Sequence, residues 1–152
     1  MIFIIISIVV PIVVYIGLPL VITKGLNRPA GPSWPLILAG ILFFISWYLP
    51  SPLIEGEYTA FTTHFVGGGL FTGFVWLYLM RIFDLRFSWV LELASLYFLV
   101  SGLGVANELF ELFIAETGIV AMTGFDTWWD LLANSLGALL FWIGYRLYRR
   151  LS

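Results

Sequence analysis

Long apolar stretches alternate with short polar connections along almost the whole chain. Five stretches are candidates for membrane-spanning helices, at about 2–22, 35–49, 65–83, 88–115 and 128–148. A helix needs about 20 apolar residues to cross a hydrocarbon core of about 30 Å. The second stretch is short for this purpose, and the fourth is long enough to require a tilt or a break near Gly102 and Gly104. The pattern predicts an all-α bundle of five transmembrane helices in a single domain, 1–152.

Proline and serine positions refine the first two predicted helices. Pro11 and Pro19 lie inside the first stretch, where a proline ring distorts a helix and frees a backbone carbonyl. Ser33 is placed to cap the second helix, and Pro35 suits the first turn of a helix. The first stretch lacks a basic segment and a small-residue cleavage site, so it is predicted to be a retained helix.

Composition supports a membrane protein and excludes several other classes. Hydrophobic residues make up 61% of the chain and charged residues only 11%, whereas a soluble domain has about 25% charged residues. The absence of cysteine excludes disulfides and thiolate metal sites. A net charge of −2 without a basic run argues against a nucleic-acid partner. The lipid bilayer is the partner that the composition predicts.

The basic residues predict the orientation of the bundle. With five spans, all seven basic residues fall on one side of the membrane: Lys24, Arg28, Arg81, Arg86, Arg146, Arg149 and Arg150. The positive-inside rule makes that side cytoplasmic. The N-terminus is therefore expected outside and the C-terminus inside, in a multi-pass protein of the cell membrane.

Polar side chains gather at the opposite, outward side. Asp126, Asp130 and Asn134 are four residues apart, so they share one face of the fifth helix. Carboxylates in hydrocarbon are costly unless they have partners or a function. The residues expected to converge there are His64, Asn107, Glu108, Glu111, Asp126, Asp130 and Asn134. Glu92, near the inner side, is expected to be solvated or paired with Arg86 or Arg81.

Glycines predict which helices meet. Gly67, Gly68, Gly69 and Gly73 leave one side of the third helix nearly bare, which allows another helix to approach closely. Gly102 and Gly104 on the fourth helix, and Gly137 and Gly144 on the fifth, are the candidate contacts. Packing of these three helices would bring the polar residues together.

Two interpretations of the polar cluster remain open. Glu108, Glu111 and Asp130 form a candidate metal site, in which oxygen ligands alone suit Ca²⁺, Mg²⁺ or Mn²⁺ and added His64 admits Zn²⁺ or Fe²⁺. The alternative is a structural network, in which Asn134 and Asn107 donate hydrogen bonds to Asp130 and Glu111. In both interpretations Asp126 is well placed to cap the fifth helix.

The run NELFE at Asn107–Glu111, followed by FDTWWDLLANSLGA at Phe125–Ala138, resembles the VanZ-like membrane proteins. It is also similar to the YjdF-type inner-membrane family, as is His64-Phe65 followed by glycines. The resemblance covers about residues 64–145 and implies a cell-envelope membrane protein; VanZ-like members are associated with glycopeptide-antibiotic tolerance. VanZ-like proteins usually have a basic residue shortly before the aspartates, and this chain has none in 121–125.

Three functional classes follow. The first is a VanZ-like envelope protein whose outward cluster binds a divalent cation or a polar lipid or envelope headgroup, with or without catalysis. The second is a non-catalytic structural or accessory subunit of a larger membrane complex. The third is a cation or proton pathway, because intramembrane carboxylates often mark one.

Overall fold

Helices form almost the whole of the computed structural model, which describes residues 2–54, 56–117 and 127–151. They are α1 (Ile2–Leu20, continued by a π-helical turn at Val21–Gly25), α2 (Trp34–Ser46), α3 (Phe61–Ile82), α4 (Trp89–Glu116) and α5 (Thr127–Leu151). The only described strands are two-residue strands, in which Leu53 pairs with Tyr58 and Ile54 with Glu57. The all-α prediction is confirmed.

Three of the described helices are long and apolar enough to cross a membrane: Ile4–Gly25, Phe61–Ile82 and Trp89–Glu116. Helix α2 is apolar but short. Helix α5 is long but less apolar, because it includes Asp130, Asn134 and Arg146. Gly102 and Gly104 do not interrupt α4, which is a single continuous helix, so the predicted alternative of a break there is wrong.

The helix ends differ in how their backbone groups are satisfied. Ser88 caps α4, since its hydroxyl accepts a hydrogen bond from the Leu91 amide at 3.5 Å. Ser33 occupies the N-cap of α2 but makes no side-chain capping bond, so the capping predicted for it does not occur. After Pro19 the first helix widens into its π-helical turn, and the Thr23 hydroxyl donates to the Pro19 carbonyl at 2.9 Å.

Helix α3 is the centre of the bundle and contributes to two apolar clusters. One joins it to α1 and α2 and contains Ile22, Leu36, Ala39, Phe71, Val75 and Tyr78. The other joins it to α4 and α5 and contains Trp76, Leu77, Met80, Leu96, Val100, Ala138 and Phe141. The outward faces of α1 and α4 remain exposed and apolar, as expected of surfaces that contact hydrocarbon.

Two hydrogen bonds between helices fix α4 against its neighbours. The Trp76 indole N–H on α3 donates to the Ser95 hydroxyl on α4 at 2.9 Å. The Tyr97 hydroxyl on α4 donates to the Ser135 carbonyl on α5 at 3.1 Å. Together with the shared apolar cluster, these bonds set the axial register of α4 and α5. This register determines which of their polar residues lie side by side.

Candidate metal centre

The site begins with an irregular segment of α3. Residues His64–Leu70, with sequence HFVGGGL, are π-helical, between α-helical turns at Phe61–Thr63 and Phe71–Ile82. Wide π-helical turns are rare and are often found at functional sites. His64 is the first residue of this segment, so its imidazole projects from the point where the helix widens.

Helix α5 makes its most extensive contact with this same segment, and glycine permits it. A Cβ atom added to Gly69 would lie 2.6 Å from the Cα of Gly137. A Cβ atom added to Gly137 would overlap the Phe65 carbonyl oxygen. The two backbones therefore touch, as the bare face of the third helix predicts, and this contact sets the start of α5 beside His64.

His64 and Asp130 form the first pair of the site. The Nε2 atom of His64 lies 3.3 Å from Oδ2 of Asp130, and the two side chains are 11% and 2% exposed. Asp130 lies in the first turn of α5. The carboxylate is thus almost fully removed from solvent and is directly beside the only histidine of the chain.

Glu108 of α4 completes a trio that draws on three helices. It is 7% exposed, and one ligand atom from each of His64, Glu108 and Asp130 lies within 4.8 Å of the other two. An ion held at about 2.0–2.6 Å from each ligand fits this spacing. The arrangement offers one nitrogen and at least two oxygen ligands in a buried position.

Asn134 lies one turn further along α5, on the same face as Asp130. Its side chain is 4% exposed and fits against two glycines: a Cβ atom on Gly68 would overlap its Oδ1, and one on Gly104 would lie 3.3 Å from its Nδ2. The Oδ1 atom accepts no hydrogen bond from the residues that the structure describes. The hydrogen bond expected from Asn134 to Asp130 is absent from the described structure, where Asp130 lies beside His64 instead.

Asn107 and Glu111 lie on a more exposed side of α4. The Asn107 amide donates to Oε1 of Glu111 at 2.7 Å, which is the contact that the structural-network interpretation predicts. Among the described residues, the group spaced for one ion contains His64 and does not contain Glu111. Of the predicted ligand set, Glu108 and Asp130 are therefore brought together, and His64 takes the third place. Asp126 lies outside the described residues.

A second buried polar centre lies at the other end of α4 and α5. Glu92 is fully buried, and its two carboxylate oxygens accept hydrogen bonds from Arg146 at 3.2 Å and from Arg149 at 2.6 Å. The prediction that Glu92 is solvated or pairs with Arg86 or Arg81 is therefore wrong. Arg86 instead pairs with exposed Asp84 at 3.4 Å.

The signal for this second centre is present in the sequence. Glu92 and Glu108 are about 24 Å apart along α4, and so are Asp130 and Arg146 along α5, at about 1.5 Å per residue. Because the two helices run in opposite directions, contact between Glu108 and Asp130 also brings Glu92 to Arg146. The spacing of charges on both helices predicts the pair once their register is known.

Fold and site together define a helical protein with three described helices long and apolar enough to cross a membrane and with a buried imidazole–carboxylate trio. Comparisons of the chain with models of protein families, with curated proteins and with solved structures find no match.

Proposed function

We propose that this chain is a VanZ-like cell-envelope membrane protein that binds a divalent cation through His64, Glu108 and Asp130. The observation that carries the proposal is the approach of three ligand atoms from three helices to within 4.8 Å of one another, in a buried position. A bound cation offsets the cost of placing two carboxylates away from water.

The ligand types narrow the choice of ion. Imidazole together with carboxylate oxygens suits Zn²⁺, Mn²⁺ or Fe²⁺, whereas Mg²⁺ and Ca²⁺ prefer oxygen ligands alone. Burial also distinguishes an ion from a headgroup. Glu108 and Asp130 are less than a tenth exposed, which leaves little surface for a polar lipid headgroup to contact. A small cation is therefore the ligand that the geometry favours.

Five spans, with the N-terminus outside and the C-terminus in the cytoplasm, form the proposed topology. Two stacking contacts support it: Arg28 lies over the Phe83 ring and Arg81 over the Trp34 ring, each at 5.4 Å. Basic residues from successive connections thus gather at one end of the helices, as the positive-inside rule requires. The cation site lies at the opposite end and faces outward in this topology.

A proton or cation pathway is less well supported by the packing. An apolar cluster that includes Trp76, Val100 and Phe141 lies between the trio and Glu92. Ser95, a candidate step on such a path, is already bound to Trp76 and to the Glu92 carbonyl.

An accessory subunit of a larger complex is the second candidate, because α1 and α4 expose long apolar faces that suit a partner helix as well as lipid.

Elemental analysis and native mass spectrometry of the detergent-purified protein test the proposal. We expect one Zn²⁺, Mn²⁺ or Fe²⁺ per chain, and a loss of at least about tenfold in affinity for the Glu108→Gln variant. Glu116→Gln is the matched control, since Glu116 is an exposed acid on the same helix. A wild-type protein that binds none of these ions, or equal binding by the Glu108→Gln variant, would overturn the proposal. A co-purifying stoichiometric partner without metal would favour the accessory subunit.

A further inference from the structure

A pocket opens beside the buried Glu92 centre, at the end of the bundle away from the cation site. Its volume is about 300 Å³, and it is lined by Trp89, Trp142, Ile143, Arg146, Leu147 and Arg150. All but Trp89 come from the last turns of α5, and Trp89 begins α4. The pocket therefore combines two arginines, two indole rings and two aliphatic side chains.

Positive charge at this pocket exceeds the negative charge available to it. Glu92 is the carboxylate that contacts Arg146 and Arg149, and both of its oxygens are used in doing so. Arg150 has no acidic partner among the residues that the structure describes. Arg146 lines the pocket and reaches Glu92 through Nη1, so its remaining N–H groups are not used in that contact. A ligand with negative charge would balance the excess.

The Trp142 indole in the pocket wall has a buried N–H group. The Nε1 atom of Trp142 is buried and finds no acceptor in the described part of the chain. An indole N–H only donates, and a buried donor without an acceptor is unfavourable. The Trp142 ring lies 6.4 Å from that of Trp89, so the two indoles form one wall.

We propose that this pocket binds the phosphate group of an anionic phospholipid. Arginine N–H groups match phosphate oxygens in geometry and charge. Ile143 and Leu147 give the pocket an apolar side suited to the first carbons of an acyl chain, which a free phosphate ion lacks. In the proposed topology the lipid belongs to the cytoplasmic leaflet, where basic residues and anionic headgroups attract each other.

This lipid site is independent of the proposed cation site. The two lie about 24 Å apart along α4 and α5, and they share none of their residues. Loss of lipid binding would leave metal binding intact, and the reverse also holds. A measurement of lipid retention therefore tests the pocket alone.

Native mass spectrometry of the full chain in mixed vesicles of phosphatidylglycerol and phosphatidylcholine tests the assignment. The wild-type protein should retain phosphatidylglycerol. Arg150→Gln should lower that retention about fivefold, the effect expected for one arginine near an anionic lipid. Arg86→Gln is the control, because Arg86 is an exposed arginine outside the pocket, and it should lower retention clearly less than Arg150→Gln does.

Three results would overturn the lipid assignment. The first is equal retention of the two lipids by the wild-type protein. The second is an equal loss of retention in the Arg86→Gln and Arg150→Gln variants, which would indicate attraction by net charge and not by the pocket. The third is displacement of the lipid by millimolar inorganic phosphate, which would assign the pocket to a soluble anion. Thermal unfolding in phosphatidylcholine alone checks that each variant is folded.

Discussion

Nε2 of His64 lies 3.3 Å from Oδ2 of Asp130, although the two residues come from helices that are separated in sequence by the whole of α4. This approach depends on the backbone contact between Gly69 and Gly137, which lies further along the same two helices. The polar pair is thus positioned by packing of glycines. Because lipid gives little hydrophobic drive for helix association, such close packing has a large share in holding the helices together.

The glycine contact gives a prediction about stability. Gly137→Ala should lower the free energy of unfolding by about 1–3 kcal/mol, because the added methyl group has to displace the backbone of α3. Gly144→Ala is the matched control on the same helix, where no described atom lies within 4 Å of an added Cβ. It should be neutral or slightly stabilising, since alanine favours helix more than glycine does. Unfolding in mixed micelles of increasing SDS content measures both, and equal effects would contradict the packing role.

The cation site makes a prediction that separates two neighbouring acids. Glu108→Gln should lower the metal affinity at least about tenfold, whereas Glu111→Gln should retain the wild-type affinity, because Glu108 lies with His64 and Asp130 while Glu111 lies with Asn107. Isothermal titration calorimetry in detergent, with Zn²⁺ added to each metal-free variant, measures the two affinities. The reverse order would show that Glu111, and not Glu108, is a ligand.

The buried ion-pair centre predicts a stability loss at the other end of the bundle. Glu92→Gln should lower the free energy of unfolding by about 3 kcal/mol, because it leaves the guanidinium groups of Arg146 and Arg149 facing a neutral amide. Asp84→Asn should cost less than about 1 kcal/mol, since its pair with Arg86 is exposed to solvent. Thermal unfolding of both variants in the same detergent makes the comparison. Similar shifts in the unfolding temperature of the two variants would show that burial does not increase the contribution of the Glu92 ion pairs to stability.

The apolar pattern of the sequence predicts where the helices begin and end, but not how each helix is rotated about its own axis. Long apolar runs place helix ends within a few residues, as at α4, predicted at 88–115 and observed at Trp89–Glu116. Glu108 and Glu111 are about 60° apart around the helix axis, at 3.6 residues per turn. Because apolar residues lie on every side of α4, its sequence does not say which of the two acids faces α5. That choice is made by tertiary contacts such as the one between Tyr97 and Ser135.

Two features of the sites depend on contacts between distant parts of the chain. The π-helical segment His64–Leu70 contains the glycines that admit α5, and no local pattern in HFVGGGL predicts its π-helical form. The predicted partners of Glu92, Arg86 or Arg81, are close to it in sequence, whereas its observed partners lie at the far end of α5. Antiparallel packing of α4 and α5 brings those ends together. Residue types identify the candidate groups, and the register of the helices selects their partners.

The last prediction concerns the hydrogen bond that fixes α4 to the central helix. The Trp76 indole donates to the Ser95 hydroxyl at 2.9 Å, inside the apolar cluster between the two polar centres. Ser95→Ala should lower the free energy of unfolding by about 1 kcal/mol, since hydrogen bonds between membrane helices contribute about 0.6 kcal/mol on average and the Trp76 indole that donates this one is buried. Ser101→Ala, at an exposed position of the same helix, should have no effect.

A double-mutant cycle with Trp76→Phe isolates this bond from the loss of indole packing. If the bond contributes as the geometry indicates, Ser95→Ala should cost little in the Trp76→Phe background, because the donor is already gone. Equal costs of Ser95→Ala in both backgrounds would show that the serine acts through its bond to the Glu92 carbonyl at 2.9 Å and not through Trp76. In that case the axial register of α4 would depend on apolar packing and on the hydrogen bond between Tyr97 and Ser135. The approach of Glu108 to Asp130 would depend on the same contacts.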